Sequence, residues 1–342
     1  MDIFDKLNGS SSLLAKYLNP LLFDQLKDKE TSSGIKLDQI INSGLENLDS
    51  GIGVYAGDKE SYKIFASLFD PIIKEYHGFN QDQVHISDLD LNKLDISNLD
   101  SNNEFIISTR IRVGRNLDGY ALGTTISKEK RDEIELKVSN ILNSFDDELK
   151  GKYYSLSNLS NEDKQNLIED HFLFKAGDRF LESAGLNRDW PSGRGIFHNN
   201  EKTFLVWINE EDQLRIISME KGGDIKRVFT RLVKAINSIE KNLPFSYDKH
   251  LGYITSCPTN LGTALRASVH IKLPKLGSNM DLFKSICEQY HVQIRGIDGE
   301  HSKSKSGIYD ISNKRRLGIS EIECIKDMYN GVKALISKEK EL

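Results

Sequence analysis

EFIISTRIRVGRN, residues 104–116, alternates with a period of two: Phe105, Ile107, Thr109, Ile111 and Val113 against Ile106, Ser108, Arg110 and Arg112. That period belongs to a β-strand with one face in a core. The other face carries two arginines at successive same-face positions. Like charges so placed repel each other, and an anion between them is the natural relief. A second alternating run, LRASVHIKL (265–273), sets Arg266, Ser268 and His270 against Ala267, Val269, Ile271 and Leu273. Arg215 stands among Leu214, Ile216 and Ile217, and Arg295 follows Val292 and Ile294. Arginine suits polyphosphate because it is planar, permanently charged and forks to two oxygens. Phosphoryl transfer chiefly needs alignment and neutralised charge, which an arginine-lined face supplies. Taken alone, each arginine reads more simply as a solvated strand residue beside an acid; the same design on four strands favours the site.

Outward from this strand the pattern changes in both directions. Residues 80–103, NQDQVHISDLDLNKLDISNLDSNN, are rich in Asp and Asn and mark a boundary. Before it, Leu13, Leu14, Tyr17 and Leu18 fall at helical spacing, as do Tyr62, Phe65, Phe69, Ile72, Ile73 and Tyr76. Pro71 is expected to kink or end its helix. DSGIGVYAGD (49–58) between them reads as a loop. After the boundary, Ile134, Val138, Ile141, Leu142, Phe145 and Leu149 mark a long amphipathic helix. TFLVWIN (203–209) and QLRIIS (213–218) read as strands joined by a turn at Glu210, Glu211 and Asp212. Asp224 is placed to cap a helix bearing Val228, Leu232, Ile236 and Ile239, and Ser320 with Glu323 forms a capping box opening a last helix to about residue 339. The sum is an α+β fold: a small all-helical unit (1–85), then a larger unit (86–342) with an antiparallel β-sheet flanked by helices.

The acidic groups complement the arginines. Glu210, Glu211 and Asp212 lie together in the turn, and Glu300 lies among glycines in RGIDGEH (295–301). A guanidinium is protonated at pH 7, so two carboxylates could hold it and one could take its proton as it attacks. The turn by itself reads more simply as a charged hairpin tip. Cys257, before Pro258, would favour its thiolate beside a guanidinium; most free cysteines are instead small buried hydrophobes. Gly51 to Ala56 formally matches a dinucleotide-binding glycine motif, but it lacks a preceding strand and a following helix and reads as a loop whose amides could bind a carboxylate. There is no GxxxxGK[ST], HRD or DFG.

The 342 residues carry 28% charged and 38% hydrophobic residues with a net charge of −5, which gives no global attraction to nucleic acid or an anionic membrane. Three cysteines without a CxxC argue against disulfides and zinc, and eight scattered histidines without HExxH predict no protein-bound metal cage. No stretch approaches a membrane span and the N-terminus lacks a leader pattern, so a cytoplasmic location is expected.

With RGIFHN (194–199), LVWINEEDQLRIIS (205–218), CPTNLGTALRASVHIKLP (257–274) and YDISNKRRLG (309–318), these segments resemble the phosphagen kinases, the ATP:guanidino phosphotransferases, over nearly the whole chain. The resemblance implies reversible phosphoryl transfer between ATP/ADP and a guanidino compound, with Mg2+ held mainly through phosphates and water. It implies nucleotide contacts at Ser108, Thr109, Arg110, Ile111, Arg112, His171, Arg215, Arg266, Ala267, Ser268, Val269, His270, Arg295, Gly296, Ile297, Asp298, Gly299 and Asp310. It implies substrate contacts at Ser50, Gly51, Ile52, Gly53, Val54, Tyr55 and Thr259, with Glu211, Glu300 and Cys257 at the reacting guanidino group. Arginine-specific members are the most similar: creatine-specific ones have a shorter loop at SGIGVY and lack a match to Glu300. Free L-arginine is therefore the expected substrate, other guanidines being the alternative. Asp49 and Arg179 look like the pair that joins the two units, and loops 51–55 and 296–308 are expected to close over the substrates. Ile297 and Asp298 replace the Thr-Arg usual in the arginine-specific members, which should weaken the pull on nucleotide if Asp298 points inward, unless the lysines of SKSKS (302–306) offset it. A protein arginine kinase would share the larger unit but not the helical one. A binding scaffold on the same fold would have lost catalytic residues that are all present here. No nucleic-acid or membrane partner is expected, and the chain is expected to act as a monomer, a dimer being the alternative.

Overall fold

In a computed structural model that describes residues 3–295 and 307–342, the larger unit is built on one eight-stranded sheet. Its strands are β1 (Ile106–Arg115), β2 (Gly151–Ser155), β3 (Gly195–Asn199), β4 (Phe204–Ile208), β5 (Leu214–Lys221), β8 (Leu265–Lys272), β9 (Val292–Arg295) and β10 (Ile308–Asn313). Two further short strands, β6 (Tyr247–Asp248) and β7 (Gly252–Tyr253), form a separate hairpin. The order across the sheet is β2-β3-β4-β5-β1-β8-β10-β9, and every neighbouring pair is antiparallel. β1 is thus an interior strand, flanked by β5 and β8.

One face of this sheet is the core. Ile111 and Val113 of β1, Leu214 and Ile216 of β5, and Leu265, Ala267 and Val269 of β8 are fully buried. They pack on helix Ile225–Glu240, whose Val228, Leu232 and Ile236 recur at helical spacing, and on helix Glu321–Glu341. Both helices start as their sequences require. The Asp224 carboxylate accepts from the Arg227 amide at 3.0 Å, and Ser320 and Glu323 exchange bonds in a capping box. At the start of β1 the simple alternation fails. The register against β8 shifts between Ile106 and Ser108, so Ile106 is buried and Ile107 is exposed, the reverse of the expected faces. A bulge inserts one residue and swaps the sides of everything before it, while Ser108 onward keeps its expected face.

Among the described residues six helices make the N-terminal unit: Ile3–Leu7, Leu13–Tyr17, Pro20–Leu26, Leu37–Glu46, Ser61–Ile64 and Ala66–His77. Pro71 does not end its helix, which runs on to His77. The carbonyl that Pro71 leaves without an amide partner belongs to Ser67, which is exposed and so open to water. The helical core of Leu14, Ile41, Phe65, Phe69 and Ile72 continues into Leu251, Ile254, Leu261 and Leu317 of the larger unit, so the two units share an apolar seam. The expected polar bridge is also present: Arg179 and Asp49 form an ion pair, beside a 3.1 Å bond from Arg179 to the Asn47 side-chain oxygen.

Arg115 ends β1 on the core side and is fully buried. Its guanidinium lies 3.4 Å from the Tyr253 ring centroid, donates to the Thr263 carbonyl at 2.9 Å and faces the buried Glu321 at 3.6 Å. Glu321 also accepts from Ser87 and from the Asp88 amide, which ties the inter-unit segment to the last helix. Removing one charge leaves the other buried and uncompensated. Glu321→Gln is expected to cost about 3 kcal/mol, read as a lower urea midpoint at unchanged slope; an unmoved midpoint would mean that the pair is not a structural one.

Candidate active site

Directly opposed residues of an antiparallel sheet share a face, and the registers line up the polar ones. Ser108 lies opposite Lys221 and His270, His270 opposite Asp310, and Asp310 opposite Arg295. Arg110 lies opposite Met219 and Ser268, and Arg112 opposite Ile217 and Arg266. Arg215 lies opposite Gly114 and Trp207. Arg110, Arg112, Arg215, Arg266 and Arg295 therefore share the face turned away from the core. Some are already partnered: Arg266 reaches Asp310 at 2.8 Å, and Arg215 reaches Glu210 and Glu211 at 3.0 Å each. Positive charge is still in excess. Burial, with Arg215 and Arg266 nearby, pulls Arg110 down to about 10. Burial and the same cluster pull Arg112 well below the ordinary guanidinium value. An anion on this face relieves both.

Two hollows open there. A cleft of about 790 Å³ is lined by Ser108, Arg110, His171, Leu205, Trp207, Met219, Ser268 and His270. Its volume is that of a ligand site, and its floor combines apolar surface with a few cationic groups. Arg112, the next same-face position, lines a smaller hollow with Arg215, Arg266, Arg316, Asn260, Gly114 and Asp212. Here Gly114 is required by close approach, since a Cβ would stand 2.8 Å from an Asp212 carboxylate oxygen.

The acidic turn is no solvated hairpin tip. Asn209 enters it at φ 55°, a left-handed conformation that asparagine tolerates, and its side-chain amide donates to the Gly193 carbonyl at 2.6 Å. Asp212 is buried and accepts from Asn116 at 2.8 Å and from the Ser256 amide at 3.2 Å. Glu211, paired with Arg215, also accepts from Asn260 at 3.3 Å. Burial pushes the Glu211 carboxyl up to about 7, with Arg215 pulling against it. Cys257 lies on the adjoining segment, its Sγ 3.1 Å from the Thr259 hydroxyl.

The glycine loop arrives from the helical unit. Gly53, at φ +79°, brings its backbone against Gly44, where a Cβ would sit 2.5 Å from the Gly53 carbonyl oxygen. Ala56 donates to the Ser256 carbonyl at 2.8 Å, next to Cys257. Burial, then the neighbouring Cys257 and Glu211, raise the Tyr55 hydroxyl above the ordinary phenol value.

Sequence comparison matches the chain to the ATP:guanido phosphotransferase N-terminal domain over residues 8–74 and to the C-terminal catalytic domain over residues 133–342. The chain belongs to this family. A curated relative, the arginine kinase of Anthopleura japonica, is 57% identical over 96% of this chain and 46% of its own length, so this chain spans about half of that protein. Arginine kinase Lit v 2 of Penaeus vannamei is 52% identical over 99% of this chain and 96% of its own. Among solved structures, lombricine kinase superposes with a TM-score of 0.92 at 37% identity, covering 98% of this chain and 93% of that one. The duplicated taurocyamine kinase of Schistosoma mansoni, with transition-state-analogue components, superposes at 0.94 and 42% identity, covering 99% and 48%.

Against this ATP:guanido phosphotransferase frame, the expected site residues sort by side. Ser108, Arg110, Arg112, His171, Arg215, Arg266, Ser268, His270, Arg295 and Asp310 border the open face or its clefts. Thr109 also lines the larger cleft, although its hydroxyl donates to the Gly222 carbonyl; Ile111, Ala267 and Val269 do not, being fully buried on the opposite face. They carry the strands rather than offering side chains to a nucleotide. In the glycine loop, Val54 is fully buried, and the Gly53 and Tyr55 amides already serve Ser50 Oγ and the Ile40 carbonyl. That leaves Gly51, Ile52 and Val54 as the amides that donate to no group among the described residues. Burial, with Glu211 beside it, pushes the Cys257 thiol up to about 12, which opposes the thiolate expected beside a guanidinium. Gly296, Ile297, Asp298, Gly299 and Glu300 lie outside the described residues, as does most of the expected 296–308 loop. Sequence reasoning missed Arg316, Asn260 and the buried role of Asp212. Arg316 stood in the quoted YDISNKRRLG, but no periodicity singles it out, because it follows its strand.

A pH dependence follows from Glu211. The carboxylate is the form that can hold a guanidinium, and a raised value leaves less of it as pH falls. The kcat/KM for the guanidino substrate is expected to drop about tenfold per pH unit below about 7, because that parameter reports the free enzyme. A profile flat from pH 8 to 6 would remove Glu211 from the role.

Proposed function

We propose that this chain transfers the γ-phosphoryl group of MgATP reversibly to the guanidino group of free L-arginine. The observation that carries the reading is the bonding of Glu211 to Arg215 and Asn260, both of which line the small hollow of the arginine face, with Cys257 on the adjoining segment that Ala56 of the helical unit holds at the Ser256 carbonyl. The curated arginine kinases at 52–57% identity support L-arginine over other guanidines. We assign residues 1–85 to substrate-carboxylate binding, through Gly51, Ile52 and Val54, and residues 86–342 to MgATP. The phosphates lie across Arg110, Arg112, Arg215, Arg266 and Arg295, with the base toward His171, Trp207 and His270. Mg2+ would be held mainly through phosphate oxygens and water.

In the reaction a guanidino nitrogen forms the new N–P bond as the bond from the γ-phosphorus to its bridging oxygen breaks, and ADP departs with that electron pair. Glu211 orients the guanidinium and is placed to take the proton that the nitrogen loses. Among the described residues no helix is long and apolar enough to cross a membrane. We place the enzyme, as a monomer, in the reducing cytoplasm, where free Cys257, Cys287 and Cys324 stay reduced.

A coupled ADP-release assay with MgATP tests the reading, comparing L-arginine, creatine, taurocyamine, lombricine, an arginine-rich protein and no acceptor. Turnover is expected with L-arginine alone. Preference for another guanidine overturns the substrate, activity only on the protein makes the chain a protein arginine kinase, and silence with all acceptors despite nucleotide binding makes it a binding protein.

A further inference from the structure

The segment around Cys257 is held from the helical unit through its carbonyls. Tyr62 donates its hydroxyl to the Thr255 carbonyl at 2.8 Å, and the Ala56 amide donates to that of Ser256. His77 Nε2 lies 2.9 Å from the Pro258 carbonyl oxygen. A carbonyl only accepts, so Nε2 carries the proton and donates. His77 is the last residue of helix Ala66–His77, and Gly78 at φ 69° turns the chain away directly after it. That helix packs on the 258–260 turn. Burial, with the Arg316 charge nearby and the Pro258 bond opposing, pulls the ring down to about 4, so it is neutral at pH 7.

The turn that His77 grips carries two groups of the site. The Asn260 amide donates to the Cys257 carbonyl at 3.1 Å, closing the turn as a unit. Cys257 presents its thiol from one end, and Asn260 reaches Glu211 from the other. Arg316 holds the neighbouring Thr259 carbonyl at 3.0 Å and the Thr255 hydroxyl the Cys257 carbonyl at 2.9 Å; His77 adds the bond from the helical unit.

We propose that His77 is a positioning residue for the acceptor half of the reaction: it ties the helical unit to the Pro258 carbonyl and so sets where Cys257 and Asn260 meet the guanidino group. This rests on the function proposed above for its kinetic part only. A neutral hydrogen bond is worth a net ~1 kcal/mol, or about fivefold in an equilibrium.

The test compares wild type, His77→Ala and His77→Gln, whose amide can still donate. His77→Ala is expected to raise KM for L-arginine about fivefold while KM for ATP stays put. Iodoacetamide should alkylate Cys257 of the free protein about fivefold faster, followed peptide by peptide so that Cys287 and Cys324 are scored separately. His77→Gln should return both values toward wild type. If His77→Ala leaves KM and alkylation unchanged, the proposal fails; it fails equally if both KM values rise together with a lowered Tm, or if His77→Gln rescues neither readout. Should wild type not turn over L-arginine, the function reading falls while the alkylation comparison still decides the positioning role.

Discussion

Replacing Arg112 with alanine is expected to lower kcat by about 10³-fold, the size of effect seen when a charge-stabilising arginine is lost from phosphoryl transfer. Arg112 sits on β1 directly opposite Arg266, and it lines the hollow shared by Arg215, Arg316 and Asn260. Among the described residues Arg112 forms no ion pair, whereas Arg215 and Arg266 each hold an acid. Its charge is kept in place at a cost from burial and from three neighbouring guanidiniums. Charge that spreads over the transferring phosphoryl oxygens is what offsets this cost, so the stabilisation is greatest at the transition state. Arg112→Lys is expected to recover little, because a point charge cannot fork to two oxygens. The folded protein should meanwhile gain stability from the alanine, since a repulsion is removed. Steady-state kinetics alongside thermal unfolding checks both signs, and a kcat within tenfold of wild type would take Arg112 out of the transition state.

Glu211→Gln is expected to lower kcat by about 100-fold or more while ATP binding survives, in line with the loss of a positioned acid–base group. The substitution keeps the side chain's size and its bond from Asn260, but removes the charge that faces the guanidinium and the capacity to take a proton. It also frees Arg215, whose guanidinium now lies 3.0 Å from Glu211 and from Glu210. Nucleotide affinity measured by titration calorimetry should therefore hold or rise. Equal losses in affinity for both substrates would point to a collapsed turn rather than a lost base. The ascending limb near pH 7 should vanish in this variant, because the group whose ionisation it reports is gone.

Much of this architecture could be read without coordinates. Period two in 108–113 and 265–273 assigned Arg110, Arg112, Arg266 and His270 to a polar face, and the registers keep them there. The capping box at Ser320 and the cap at Asp224 were equally local, since each depends on residues within one helical turn. The bulge at Ile106–Ser108 escaped because pattern alone does not reveal an inserted residue whose neighbours are all apolar. Ile111, Ala267 and Val269 fall in motif segments yet point into the core, which shows that a motif names a stretch and not its side chains.

By itself, then, the sequence determined the α+β class, the sidedness of the arginine strands and the family to which the chain belongs, because these depend on short-range periodicity and on ordered motifs. Only the tertiary structure decided which of those groups meet. Glu211 reaches Asn260 across 49 residues, Asp212 bonds Asn116 across 96, and His77 holds the Pro258 carbonyl across 181. Such contacts come from strand order and from the seam between the two units, which no local pattern encodes. The charge states follow the same division. Cys257 and Glu211 are ordinary groups in the chain, and burial among particular neighbours turns one into a protonated thiol and the other into a carboxyl poised near neutrality.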